Sequence, residues 1–261
     1  MTLVVSLRIA DGVILSADSL QTSISSLQPE LKDFKVKSPT TGEEINIPKV
    51  KLPPISIPSS TSSYAQKLFS FKKKYGVAIF GSNILNGRTI YNHIKTLEKS
   101  IDGDISMDEV QTRIQTYFQP QVDKQIAAFP NYNKTRTLFG LQIVGFENED
   151  DVTGTTLEFN FGVSSNIQKH KNLGWTISGD TGFALKIFEA AKQRSPINIG
   201  AFSLQDGIDF CEFLTNSTTE FQRFANMIPT VGGSVDIALL TQYSDFNWIK
   251  AKKLTKLLES I

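Results

Sequence analysis

The sequence predicts an α+β fold in which two antiparallel sheets stack together with helical layers outside them, a four-layer αββα sandwich. Three observations carry this. Strand-like runs arrive in adjacent pairs, helical runs also arrive in pairs, and no segment repeats at a fixed period. In chain order the elements read β-β, a long excursion, β-β, α-α, β-β, β, α-α, β-β. At 261 residues the chain is long enough to bury a sizeable core in one domain. That domain is expected to span 1–261, with an insertion at about 23–63.

The first pair is TLVVSLRI (2–9) and VILSADS (13–19), rich in β-branched residues and split by the turn Ala10-Asp11-Gly12. The proline- and serine-rich stretch that follows, 23–63, reads as a long loop with at most short edge strands. Two apolar runs, KLFSF and YGVAIFG, flank the basic turn Lys72-Lys73-Lys74, which reads as a solvated hairpin tip. Ile90, Ile94 and Leu97 at helical spacing predict a helix from Asn86 to about Lys99. A second helix follows in MDEVQTRIQTYFQPQVDKQIAAF, with Pro120 expected to bend or end it. TLFGLQIVGFE and TTLEFNFGVS form a strand pair around the acidic turn ENEDDVTG. GWTISGDTGFALKIFEAAKQ reads as strand, glycine turn and helix. SLQDGIDFCEFLTNSTTEFQRF adds a helix capped by Ser203 or Asp206, and VGGSVDIALLTQ with NWIKA closes the chain in strands.

Composition removes several function classes. Hydrophobic content of 40% and charged content of 20% are those of a globular chain, and the net charge of +1 gives no reason to expect nucleic acid or an anionic membrane surface as partner. No apolar run approaches the roughly 18 residues of a membrane span. Arg8 and Asp11 interrupt any secretion signal, so a cytoplasmic location is expected. The single cysteine, Cys211, lies on the apolar face of a predicted helix and reads as a packed thiol. His93 and His170 have no metal spacing with each other or with Cys211, ENEDDVTG lacks the ligand spacing of a calcium loop, and Gly232-Gly233 precedes a strand rather than a helix. No metal and no cofactor are expected.

Four stretches together resemble the proteasome β-type family of N-terminal-nucleophile hydrolases, closest to its bacterial proteasome-related branch: TLVVSLRIADGVILSADS, QKLFSFKKKYGVAIFG, WTISGDTGFALKIFEAA and VGGSVDIALLT. The resemblance covers most of the chain outside 23–63. It implies Thr2 as nucleophile after removal of Met1, Asp18 as the buried acid and Lys67 as the lysine beside the nucleophile. It further implies Gly81 as the oxyanion-holding N–H and Thr22 as a peptide-strand binder. The turn Ile177-Ser178-Gly179-Asp180 carries the family's amine-holding serine either at Ser178, by a one-residue shift, or at the place of Gly179, with Asp180 as a further substitute. The family's Asp-x-x-Ser-Gly-Gly is Ile228-Pro229-Thr230-Val231-Gly232-Gly233 here, and its arginine is Leu20.

Each part answers a chemical need. A threonine hydroxyl is a weak nucleophile near neutral pH and needs a base within reach. A terminal amine, with an ordinary pKa of about 7.7–8.0, can exchange protons there, and having it on the nucleophile's own residue minimises the cost of orientation. The Lys67 ammonium favours the neutral amine and a developing alkoxide, Asp18 supplies its counter-charge, and a glycine N–H at a strand end donates a hydrogen bond to the tetrahedral oxygen. Lys32, Lys35 and Lys37 lie nearer to Thr22 in sequence, but Lys67 alone precedes the Leu-Phe strand pattern that aims it inward. The implied protein is a threonine-type peptidase acting on polypeptide or peptide, assembled as a homo-oligomeric ring or stack. A transpeptidase, a small-amide hydrolase and a silent scaffold or assembly protein are the rivals.

Overall fold

The computed structural model describes residues 2–27, 30–31, 34–47, 50–51, 55–128, 137–148 and 151–252. Met1, Lys32 and the middle of the acidic turn lie outside them. The chain divides into two compact units, one of residues 1–21 with 62–261, the other of residues 22–61.

Strands β1 (Leu3–Ile9) and β2 (Gly12–Asp18) open the larger unit. The smaller unit corrects the expectation of a loop. Its strands β3 (Gln21–Leu27), β4 (Glu30–Leu31), β5 (Phe34–Lys37), β6 (Glu44–Ile47), β7 (Val50–Lys51) and β8 (Ile55–Ser62) pair as nested antiparallel partners. β3 pairs with β8, β4 with β7 and β5 with β6, which makes a two-stranded ribbon. Its tip closes through Ser38 N–H to Glu43 O at 2.9 Å. Proline misled the reading because a ribbon strand has only one partner and tolerates a missing N–H on its free side. Pro39 falls in the tip and Pro58 in β8.

The larger unit resumes with β9 (Leu68–Phe71) and β10 (Tyr75–Gly81), a short hairpin of β11 (Ile84–Leu85) and β12 (Arg88–Thr89), and helices α1 (Ile90–Lys99) and α2 (Met107–Ala127). It continues through β13 (Phe139–Gly145), β14 (Thr155–Phe161), β15 (Asn166–His170) and β16 (Gly174–Gly179). Helices α3 (Gly182–Arg194) and α4 (Leu204–Phe224) then precede β17 (Val235–Thr241) and β18 (Ser244–Lys250). Two five-stranded sheets result, ordered β16-β1-β2-β17-β18 and β15-β14-β13-β10-β9, with every neighbour antiparallel.

Strand alternation sorts the side chains of β1 into two cores. Leu3, Val5, Leu7 and Ile9 join Ala184 and Phe188 of α3 and Cys211 and Leu214 of α4. Val4 on the opposite face joins Leu15 and Ala17 of β2, Leu68, Ala78, Phe80 and Val144 of the other sheet, and Ala238 and Leu240 of β17. A third cluster sets Phe71, Tyr75, Phe139 and Phe159 against Ile94 of α1 and Ile114 and Phe118 of α2. β1 and β2 are thus covered on both faces, which is why they read as continuous apolar runs rather than as strict alternation.

Local chemistry sets the element ends. Ser106 and Ser203 both form capping boxes, with Glu109 and Asp206 as the reciprocal acids. Three expectations need correction. Helix α1 begins at Ile90 rather than Asn86, because Asn86-Gly87 is a hairpin turn with φ of 49° and 77°. Helix α2 continues past Pro120 to Ala127, so the proline does not end it; burial of Ile114, Phe118 and Val122 along one stripe offsets a proline cost of about 3 kcal/mol. His170 ends strand β15 rather than lying in a loop.

Cys211 is fully buried on α4, and burial pushes its thiol up to about 12 from an ordinary 9.0. An acid whose folded pKa is raised stabilises the fold below the unfolded value and loses that contribution as pH rises through the folded one. Wild type is therefore expected to lose on the order of a few kcal/mol more than Cys211→Ala between about pH 9 and 12, as followed by urea unfolding at each pH.

Candidate active site

The centre of the site is the carboxylate of Asp18, the last residue of β2, which is fully buried. Its Oδ1 accepts the Leu3 N–H at 3.0 Å, and its Oδ2 accepts Leu20 N–H at 3.1 Å and Gly232 N–H at 3.0 Å. The Lys67 ammonium, from a side chain only 3% exposed, reaches the two oxygens at 3.1 and 3.2 Å and donates to the Leu20 carbonyl as well. Burial pushes the Asp18 carboxyl up and the Lys67 ammonium down, and their mutual attraction opposes both shifts.

Backbone pairing brings these groups together. Lys67 stands just before β9, and its carbonyl accepts the Ile79 N–H at 2.9 Å, which fixes it across from β10 two residues before Gly81. Gly81 ends β10 at φ +81°, and a Cβ there would meet the Phe139 Cα at 2.9 Å, so the place demands glycine. Thr2 precedes β1 and is buried; the Asp180 N–H donates to its carbonyl at 2.7 Å. Gly179 pairs with Leu3, holds φ +90°, and lies so close to Thr2 that a Cβ would sit 1.8 Å from the Thr2 carbonyl oxygen and 3.3 Å from the Phe80 Cβ. Thr2, Asp18, Lys67, Gly81 and Gly179 are thereby gathered at one end of the two sheets.

No family model matches the chain. No curated protein matches it either.

The Ser178 hydroxyl donates to Glu158 Oε1 at 2.6 Å and accepts from Gln142 Nε2 at 2.7 Å, so residues of the other sheet hold it. Thr22 begins the ribbon unit. Lys35 is exposed and pairs with Glu44 on the ribbon, Lys37 is exposed, and Lys32 lies outside the described residues.

Sequence reasoning missed Gln222. This residue of α4, 3% exposed, donates to Asp180 Oδ2 and to Thr230 Oγ1, both at 3.0 Å. Its own oxygen accepts the N–H groups of Thr230 and Val231 at 2.8 and 3.0 Å, and the Thr230 hydroxyl donates to Asp180. Gly232, in the same loop, binds Asp18 through its N–H and accepts the N–H groups of Ser19 and Leu20 at its carbonyl. One loop thus ties together the two acids that flank Thr2. The available signal was a polar residue on the buried stripe Cys211, Leu214, Thr218 and Gln222. Among the described residues no group of three or more His, Cys, Asp or Glu could hold a metal ion. Nor is any helix of the described residues long and apolar enough to cross a membrane.

Two outcomes test this geometry. Gly179→Ala is expected to destabilise the fold by more than about 2 kcal/mol in urea unfolding, since both the positive φ and the Thr2 carbonyl oppose a methyl group. Lys67→Met is expected to cost about 3–5 kcal/mol by leaving Asp18 buried and unpaired, and the double variant Asp18→Asn/Lys67→Met to recover part of that loss.

Proposed function

We propose that the chain is an N-terminal-nucleophile hydrolase of the proteasome β type, a threonine peptidase whose two sheets and four helices form the four-layer αββα sandwich of that class. What supports this reading is a buried ammonium–carboxylate pair beside the residue that follows Thr2, together with a glycine of positive φ, Gly179, packed on the Thr2 carbonyl. Leu3, the residue after Thr2, donates its N–H to the same carboxylate that holds the Lys67 ammonium.

With Met1 removed, the Thr2 Oγ1 attacks the substrate carbonyl and its proton passes to the Thr2 amine. The Gly81 N–H takes the charge that develops on the carbonyl oxygen. Collapse of the tetrahedral intermediate returns the proton to the leaving amine and leaves an ester on Thr2. Water, or a second amine in a transpeptidase, then resolves that ester. Lys67 supplies positive charge beside the reaction and Asp18 fixes it in place. The proposed substrate is a peptide or polypeptide and the proposed assembly a homo-oligomeric ring or stack in the cytoplasm. A second reading, a silent scaffold, draws on the burial of Thr2, which exposes 2% of its surface.

Intact-mass analysis with a peptidyl vinyl sulfone separates the two. Protein that begins at Thr2 is expected to gain one adduct mapped to that residue, and Thr2→Ala none. Lys67→Ala is expected to slow labelling by about a hundredfold or more, within the range of contributions typical of such groups, whereas Lys35→Ala leaves the rate unchanged. Labelling that persists in Thr2→Ala removes the assignment, and none in the processed wild type favours the scaffold.

A further inference from the structure

Arg8, near the far end of β1, is a cation buried between the sheets and only 3% exposed. Its Nε donates to the Asn172 carbonyl at 2.9 Å, and its Nη1 donates to the hydroxyls of Thr156 at 2.8 Å and Thr176 at 3.0 Å. All three acceptors are neutral. A guanidinium carries five N–H groups, so these bonds leave over the two on Nη2. Burying a charge is costly unless an opposite charge meets it, and arginine keeps its proton at neutral pH. Burial alone pushes this guanidinium down to about 10 from 12.5, and no described carboxylate offsets that effect.

The acids of the neighbouring strands and turns are engaged elsewhere. Glu147 takes the ammonium groups of Lys169 and Lys171. Asp151 accepts the Glu147 N–H and the Thr155 hydroxyl, both at 3.0 Å. Glu158, on the same face of β14 as Thr156, accepts the Ser178 hydroxyl at 2.6 Å, and its other oxygen lies 3.6 Å from His170 Nε2. The space beside Arg8 opens on the Nη2 side. The β1–β16 register sets Arg8 opposite Gly174. Apart from its chain neighbours, the only described atom within 4 Å of a Cβ built on Gly174 is Arg8 Nη2, at 3.9 Å. Gly174 is half-buried and Lys171, Asn172 and Leu173 before it are exposed, so Nη2 stands just beneath the surface of the turn between β15 and β16.

We infer that Arg8 is an anion-binding site, whose Nη2 takes the oxygens of a phosphate or carboxylate group at the turn before β16. Two N–H groups on a cationic centre favour an oxyanion over a neutral acceptor, because the resulting bonds are charge-assisted. The bound group supplies the counter-charge that the described acids do not. Arg8 stands six positions beyond Thr2 along the chain, about 20 Å at the rise of a strand, and the inference is independent of the Thr2 reading.

The test uses the full chain and NMR of the arginine side chains, with the Arg8 Nε and Nη2 signals assigned through bonds. Sodium phosphate and sodium acetate are titrated separately, at an ionic strength held constant with sodium chloride. At least one of the two anions is expected to shift the Arg8 signals saturably and to raise the urea midpoint of the wild type. Arg8→Met is expected to bind that anion about tenfold more weakly or worse and to lose the stabilisation. Tighter binding of phosphate assigns the site to a phosphoryl group, and tighter binding of acetate assigns it to a carboxylate. Arg8 signals that neither anion moves overturn the inference, as does a drift without saturation, which is salt screening, or a stabilisation that Arg8→Met shares. Should Arg8→Met fail to fold, the wild-type signals decide.

Discussion

One carboxylate holds the end of the two sheets beside Thr2 together. Asp18 collects N–H groups from Leu3, Leu20 and Gly232 and the ammonium of Lys67. Those four donors belong to the start of β1, the exit from β2, the loop before β17 and the approach to β9. Taking a carboxylate and an ammonium out of water costs several kcal/mol for each ion, and the pair regains this only with good geometry and with its remaining hydrogen-bonding groups satisfied. Asp18 meets that condition: both its oxygens have backbone partners as well as the lysine. A hydrophobic pair of similar volume would serve stability as well or better, so stability alone does not account for ions at this place.

The same region shows how the chain manages without polar groups that its resemblance would lead one to expect. The loop before β17 has no acid or serine in the expected places, yet its backbone does comparable structural work. Gly232 receives two N–H groups at its carbonyl while giving its own to Asp18. Thr230 carries a hydroxyl to Asp180, and Gln222 reaches from α4 to satisfy both. Asp180 in turn gives its N–H to the Thr2 carbonyl. A brace made of one helix residue, one loop and one turn thus spans the distance between the acids on either side of Thr2.

How far the sequence was legible follows from the range of the forces involved. The β1–β2 pair, the antiparallel order and the burial of Cys211 could be read because alternation and helical spacing are local. Asp18 and Lys67 were legible as a pair only through the resemblance: 49 positions separate them. The ribbon was missed since proline and serine argue against a strand with two partners, whereas each ribbon strand has one. Asn86-Gly87 was a visible hairpin signal that helical spacing from Ile90 onward concealed. Gln222 and Arg8 depend on contacts between distant segments, and nothing local marks a glutamine or an arginine as buried.

The hydrogen bonds of Lys67 also decide what kind of help it can give. An ammonium has three N–H donors, and Lys67 directs its own to the two Asp18 oxygens and to the Leu20 carbonyl. A donor set occupied in this way has none left over to shuttle a proton, so under the proposed mechanism Lys67 would act only through the field of a fixed charge, and a cation near a terminal amine disfavours its protonated form. Asp180, on the other side of Thr2, meets it through its backbone N–H, while its carboxylate is held by Thr230 and Gln222. Each acid is anchored from several elements at once, Asp18 by Leu3, Leu20, Gly232 and Lys67 and Asp180 by Thr230 and Gln222, so neither carboxylate can turn without breaking bonds to distant parts of the chain.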